Sequence, residues 1–159
     1  MTLRVRVLCF GNLLAGDDGF GVHVHRKLLE TLDAPQHFTL EIIDAGLLGM
    51  AALTYFEDCD HVIVVDALSD SGQPGRVRRL TLADVSAPQS AFSAHALDLT
   101  HLFHVLPILF EGRVPPSIVI IGAEIKAPSG EYDMQLSAPL QAAIEPALTC
   151  IRAELDALR

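Results

Sequence analysis

Residues 3–22, LRVRVLCFGNLLAGDDGFGV, constrain the fold of this chain more than any other stretch. A short apolar run, Val5 to Phe10, stops at Gly11-Asn12. A tight loop leads to Asp17-Asp18, then to Gly19 and Gly21, and a helical pattern continues through His25, Leu28 and Leu29. That order is a buried strand, a turn and a helix start. It puts two carboxylates where the loop enters the helix. In an open α/β sheet, ligands bind in the crevice beyond the carboxyl ends of the strands. A helix start offers free N–H groups and the positive end of a dipole, which in many proteins cradle a phosphate. Here no GxGxxG follows the strand, no GKS or GKT is present, and two carboxylates occupy the place a phosphate would take. A cation is the better guest. One of the two aspartates is expected to cap the helix, a common use of Asp. The other is left for function.

The rest of the chain alternates in the same way. A second strand is expected at Thr39 to Ile43, ending at Asp44, and a short helix at Leu48 to Phe56. A third strand, His61 to Val65, is closed by Asp66; its apolar core suits a central parallel strand covered on both faces. The turn-rich segment SDSGQPG leads to a more exposed strand, Arg76 to Leu82, at an edge. Residues 83–94 read as a surface loop, followed by a helix from Ala96 to Leu106 that Pro107 should end. Ser117 to Ile121 is another buried strand, stopped by Gly122, and 123–136 is a loop. The last helix starts near Ser137-Ala138-Pro139 and runs to about Leu158, with Pro146 expected to kink or divide it. The helix beginning near Asp18 should run to Leu32 and turn Val22, His25, Leu28, Leu29 and Leu32 toward one face. Strands alternating with helices indicate an α/β three-layer sandwich with a mainly parallel sheet. The 159 residues suffice for one domain, 1–159, with a proper core.

Composition removes several function classes. A net charge of −9 argues against nucleic acid and against anionic membrane surfaces as partners. No apolar run is long enough to span a bilayer. The opening MTLRVRVLCF has arginines before an apolar stretch but runs straight into Gly-Asn and two aspartates, without a small-residue cleavage site. It reads as the first strand of a cytoplasmic protein. Cys9, Cys59 and Cys150 are scattered, odd in number and form no CxxC. They are expected to be small buried hydrophobes rather than a zinc cluster, a disulfide framework or a nucleophile.

In a parallel sheet, Asp17 and Asp18 after the first strand, Asp44 after the second and Asp66 after the third share one rim. Gathered carboxylates are costly unless a metal ion, a shared proton or a basic partner compensates them. Asp66 follows VIVV directly, so a rigid element fixes it. His95, just before a long helix, is a cap-region hydrogen bonder or a further ligand. His23 and His25 point different ways on their helix. His101 and His104 could share a face but lack matching acids, and His37 and His61 read as loop or strand-edge residues. Two carboxylates and an imidazole make a mixed O,N site suited to Ni, Zn, Cu or Fe.

GNLLAGDDGFGV directly after an N-terminal strand resembles the opening motif of the nickel–iron hydrogenase maturation endopeptidases, roughly GNxLxxD(D/E)GxG. The order of later elements resembles that family over nearly the whole chain. The resemblance implies a twisted five-stranded sheet between helices. It also implies a selective protease that removes a C-terminal extension from the precursor of a [NiFe]-hydrogenase large subunit already carrying nickel. By the same resemblance, Asp18, Asp66 and His95 contact the substrate's nickel, and Asp18 and Asp66 are the catalytic candidates. Nickel then comes with the substrate, and the free protein, expected to be a monomer, holds no tight metal of its own. The stretch AEIKAPSGEYDMQLSAP departs from the Gly-x-(Glu/Gln)-Pro region of relatives, since Ala123-Glu124-Ile125 lacks the Pro.

Other classes make different demands. A metal-dependent hydrolase of small substrates would hold its own metal tightly. A nucleotide-binding module would want a Lys in the glycine-rich turn. A non-catalytic nickel carrier would want His- and Cys-rich tracts, and this chain has none.

Overall fold

The apolar runs become five strands: β1 (Leu3–Phe10), β2 (Phe38–Gly46), β3 (His61–Leu68), β4 (Val77–Thr81) and β5 (Ser117–Glu124). Among the described residues four α-helices accompany them: α1 (Phe20–Thr31), α2 (Leu82–Ser86), α3 (Leu97–Leu109) and α4 (Ala138–Asp156). Two segments, Gly16–Gly19 and Gly49–Phe56, are 3-10 helices. This computed structural model describes residues 2–33, 35–68, 72–86, 97–113, 115–127 and 130–158.

The strands form one sheet in the order β2-β1-β3-β5-β4. All pairings are parallel except β4 with β5. From β1 the chain goes to β2 on one side, while β3, β5 and β4 lie on the other. The order therefore reverses between β1 and β3, and the crevice that such a switch creates opens at their carboxyl ends.

Each face of the sheet is covered. Val5, Val7, Ile63, Val65 and Ile121 pack under α1 and α4. Leu8, Val62, Val64 and Ile120 pack under Phe56, α2 and α3. β3 is buried on both faces, as its unbroken apolar run requires. This is the expected three-layer α/β sandwich. Among the described residues no helix is long and apolar enough to cross a membrane.

Several boundaries differ from the sequence reading. β3 runs on to Leu68, so Asp66 lies inside the strand, paired with Gly122 of β5 rather than closing it. β5 likewise continues through Gly122 to Glu124. The buried residues of α1 are Phe20, Gly21, Val22, Val24 and Leu28, while Leu29 is exposed. Part of the expected loop at 83–94 is α2, closed by a reciprocal cap. Thr81 donates its N–H and Oγ to Asp84 Oδ2, each at 2.7 Å, and Asp84 N–H donates back to Thr81 Oγ.

Neither internal proline ends its helix. α3 passes through Pro107 and α4 through Pro146. Both prolines face solvent, so a carbonyl freed one turn earlier can be hydrated. A proline costs a helix about 3 kcal/mol. Leu140, Leu148, Ile151 and Leu155 of α4 are each buried, and burial of such side chains contributes about 1.5–3 kcal/mol apiece. Packing outweighs the proline.

Candidate functional site

Glycines decide where the carboxylates of the first loop go. Gly11 has φ +149°, and a Cβ there would lie 2.4 Å from the carbonyl oxygen of Asp18. The loop can fold back that closely only without a side chain. Asn12 N–H then donates to Asp18 O (3.1 Å), and Asp18 N–H donates to Ala15 O (3.2 Å). Asn12 Oδ1 accepts from Leu14 N–H (3.0 Å). One turn later, a Cβ on Gly21 would sit 2.0 Å from Phe10 O and 2.9 Å from Val65 O. The first turn of α1 is thus pressed against the ends of both β1 and β3. The chain delivers Asp18 to the switch point, beside the stretch of β3 that carries Asp66.

Both carboxyls are buried, Asp18 at 7% and Asp66 at 9% exposure. Asp66 Oδ1 accepts the N–H of Ala67 at 2.8 Å. Burial pushes the Asp66 carboxyl up to about 8; the Ala67 bond draws it down, and the nearby charge of Asp18 pushes it up further. At neutral pH Asp66 therefore holds a proton it can release. Such a group can exchange a proton with a reacting molecule or ionise against an arriving cation.

The other acids of the rim behave differently. Asp17 does not cap α1, whose N-terminus has no side-chain cap. It reaches instead to the start of α4, where Ser137 donates its N–H to Oδ1 (2.7 Å) and its Oγ–H to Oδ2 (2.8 Å). Asp44 is exposed and accepts Gly46 N–H within its own turn (3.1 Å). Cys9 is wholly buried, its thiol pushed up by burial and by Asp44 and Asp66. Cys59 is half-buried and also pushed up by burial. Cys9 is the small buried hydrophobe expected of it, whereas Cys59 and Cys150 are only partly buried. His101 and His104 are exposed on α3.

His95 lies outside the described residues. Among the described residues no group of three His, Cys, Asp or Glu side chains could hold a metal. Asp18 and Asp66 are the part of the expected set that the fold brings together. Two oxygens alone make an incomplete first shell for Ni or Zn. Further donors must come from elsewhere in the chain or from the bound molecule.

Sequence reasoning missed other residues. A cleft of about 680 Å³ opens beside Asp18, between the 12–18 loop and residues 125–137. Leu14, Ile125, Lys126, Tyr132 and Leu136 are among its lining residues, and Tyr132 is 90% exposed. Glu124, taken as loop, is the last residue of β5 and 1% exposed, with Arg78 3.6 Å away. The Asp17–Ser137 pairing spans 120 residues, and no local spacing announces it.

A family model described as hydrogenase maturation protease matches residues 22–154. The Hydrogenase 2 maturation protease of Escherichia coli K12 is 31% identical over 157 residues, covering 96% of this chain and 91% of that protein. The solved structure of the hydrogenase maturating endopeptidase HybD from E. coli superposes with a TM-score of 0.76 at 28% identity, over 97% of this chain and 93% of that one. The [NiFe] hydrogenase maturation protease HybD from Thermococcus kodakarensis shares the fold, with a TM-score of 0.73 at 23% identity over 95% and 98%.

Proposed function

The chain belongs to the hydrogenase maturation protease family, and from that premise we propose both its reaction and its working parts. It is an endopeptidase that cuts the precursor of a [NiFe]-hydrogenase large subunit and releases a C-terminal extension. Nickel already seated in that precursor is the feature it reads. Asp18, Asp66 and His95 meet the substrate's nickel, and one or both carboxylates serve the hydrolysis. The protease acts as a monomer.

One observation carries this reading: two buried carboxyls converge at the switch point of the sheet, beside the cleft that opens next to Asp18. Burying two acids together is costly for the free protein. A cation presented by the substrate relieves that cost, so the precursor is bound better with its metal than without it. His95 precedes Leu97, the first residue of α3, by two positions, and its part in this reading rests on the family resemblance.

Two divisions of labour fit these residues. In the first, Asp18, Asp66 and His95 grip nickel and so orient the scissile peptide toward a water acidified near the metal. In the second, an aspartate is the general base and nickel is only a handle. Asp18→Asn separates them: loss of binding to the nickel-loaded precursor supports the first, and normal binding without cleavage supports the second.

The test of the function follows intact mass when the protein meets its cognate precursor, nickel-loaded or nickel-free. The expected result is loss of a C-terminal peptide from the loaded form alone. Cleavage of both forms removes nickel from recognition. Cleavage of neither by a verified pair overturns the proposal in favour of a small-substrate hydrolase or a nickel carrier.

A further inference from the structure

We infer that Asp17 is a positioning residue: through its paired hydrogen bonds to Ser137, it sets the direction in which Asp18 points. This rests on the reading that Asp18 belongs to the working site. Asp17 and Asp18 are consecutive residues of the 3-10 turn Gly16–Gly19. Neighbours in such a turn project about 120° apart, so fixing one side chain fixes the rotation of the turn and hence the direction of the other.

Asp17 is fixed at both oxygens. Ser137 N–H reaches Oδ1 at 2.7 Å and Ser137 Oγ–H reaches Oδ2 at 2.8 Å. Ser137 is the residue before α4, a helix of 19 residues whose positive end favours a carboxylate. The backbone repeats the attachment next door: Gly16 N–H donates to Asp133 O (2.6 Å), and Asp133 N–H donates to Leu14 O (3.0 Å). The loop is therefore held from outside by residues 133–137, and from inside by the close approach of Gly11 to Asp18 O. Without the Asp17–Ser137 bonds the backbone pairing with Asp133 and the inner contact persist, but residues 17 and 18 are free to rotate between them, and Asp18 swings away from Asp66.

A misplacement on the order of 1 Å can cost about a hundredfold in rate. Expected for Asp17→Ala, with the nickel-loaded precursor, is a kcat lower by about tenfold or more with KM within about twofold. Ser137→Ala keeps the backbone bond and should lose a few-fold in kcat, while Ser137→Thr keeps the hydroxyl and should recover it. The double variant Asp17→Ala/Ser137→Ala should be no slower than Asp17→Ala alone, because both remove one linkage. A folded Asp17→Ala with unchanged kcat, a rise in KM alone, or additive losses in the double variant overturns the proposal. Should Asp17→Ala not fold, the Ala and Thr variants of Ser137 decide: equal rates for both overturn it.

The control is Asp18→Ala in the same assay. If that variant cleaves normally, the assignment of Asp18 fails, and the linkage is judged by amide exchange instead. Asp17→Ala should then speed exchange at Asn12 and Asp18 by about tenfold, with β3 unchanged. Unchanged exchange there overturns the linkage as well.

Discussion

Asp66 makes the free protein sensitive to pH in an unusual direction. An aspartate in an unfolded chain titrates near 4, whereas burial and Asp18 raise Asp66 to about 8. Between those values the folded form keeps a proton that the unfolded form has lost. Its contribution is therefore complete in acid and disappears as pH rises through the folded value. Wild type should lose urea stability between about pH 4 and about pH 8, and Asp66→Asn should flatten that loss, gaining at least about 1 kcal/mol at the alkaline end. The same variant should lose peptidase activity. His61 works the opposite way. It is buried, its Nε2 has no hydrogen-bond partner among the described residues, and burial lowers its pKa. Its stabilising contribution is present above the unfolded value and fails as pH falls toward the folded one. His61→Leu should reduce acid destabilisation below about pH 6.5, read as a flatter melting temperature against pH. Asp18 and Asp66 were legible in the sequence because each directly follows, or lies within, a strand-and-turn signal. The Asp17–Ser137 pairing was not, because the two residues lie 120 positions apart.

At the scale of elements, the join between β1 and α1 is the most demanding. A methyl group on Gly21 would press on two strand carbonyls, Phe10 O and Val65 O. Backbone cannot retreat as a flexible side chain can, so Gly21→Ala should destabilise by several times the ~1 kcal/mol typical of single changes, or prevent folding. Circular dichroism with urea titration reads this directly. α4 offers the contrasting case. Pro146 is exposed within a continuous helix, so replacing it with Ala restores an N–H donor and removes the ring. Pro146→Ala should stabilise by about 1 kcal/mol or more, raising the melting temperature by about 2–4 °C per kcal/mol. The sequence located strands well because apolar periodicity reports burial directly. It failed at Pro107, which does not end α3, and Pro146 does not divide α4, because a breaker rule is local, while the packing that overrides it is tertiary. α2 had a readable signal that was passed over: Thr81 and Asp84 stand at capping-box spacing.

Across the whole molecule, the site sits on the strands best protected from solvent. β1 and β3 are interior strands, while β2 and β4 form the two edges of the sheet. Hydrogen exchange should be slowest in β3, then β1 and β5, and faster in β2 and β4. An order with β4 among the slowest would contradict the sheet arrangement. The layered architecture was legible from alternation alone, because a parallel sheet needs helices between its strands. The cleft was not, since it forms where the 12–18 loop meets residues 125–137, a meeting that no periodicity encodes. Ser137 also has a consequence in time. The ribosome makes the GNLLAGDDGFG loop well before it adds the side chain that holds Asp17, which comes 120 positions later. A nascent chain carries the acids of the site long before it carries their brace. The brace on Asp17 therefore forms only once α4 has been made and packs over the sheet.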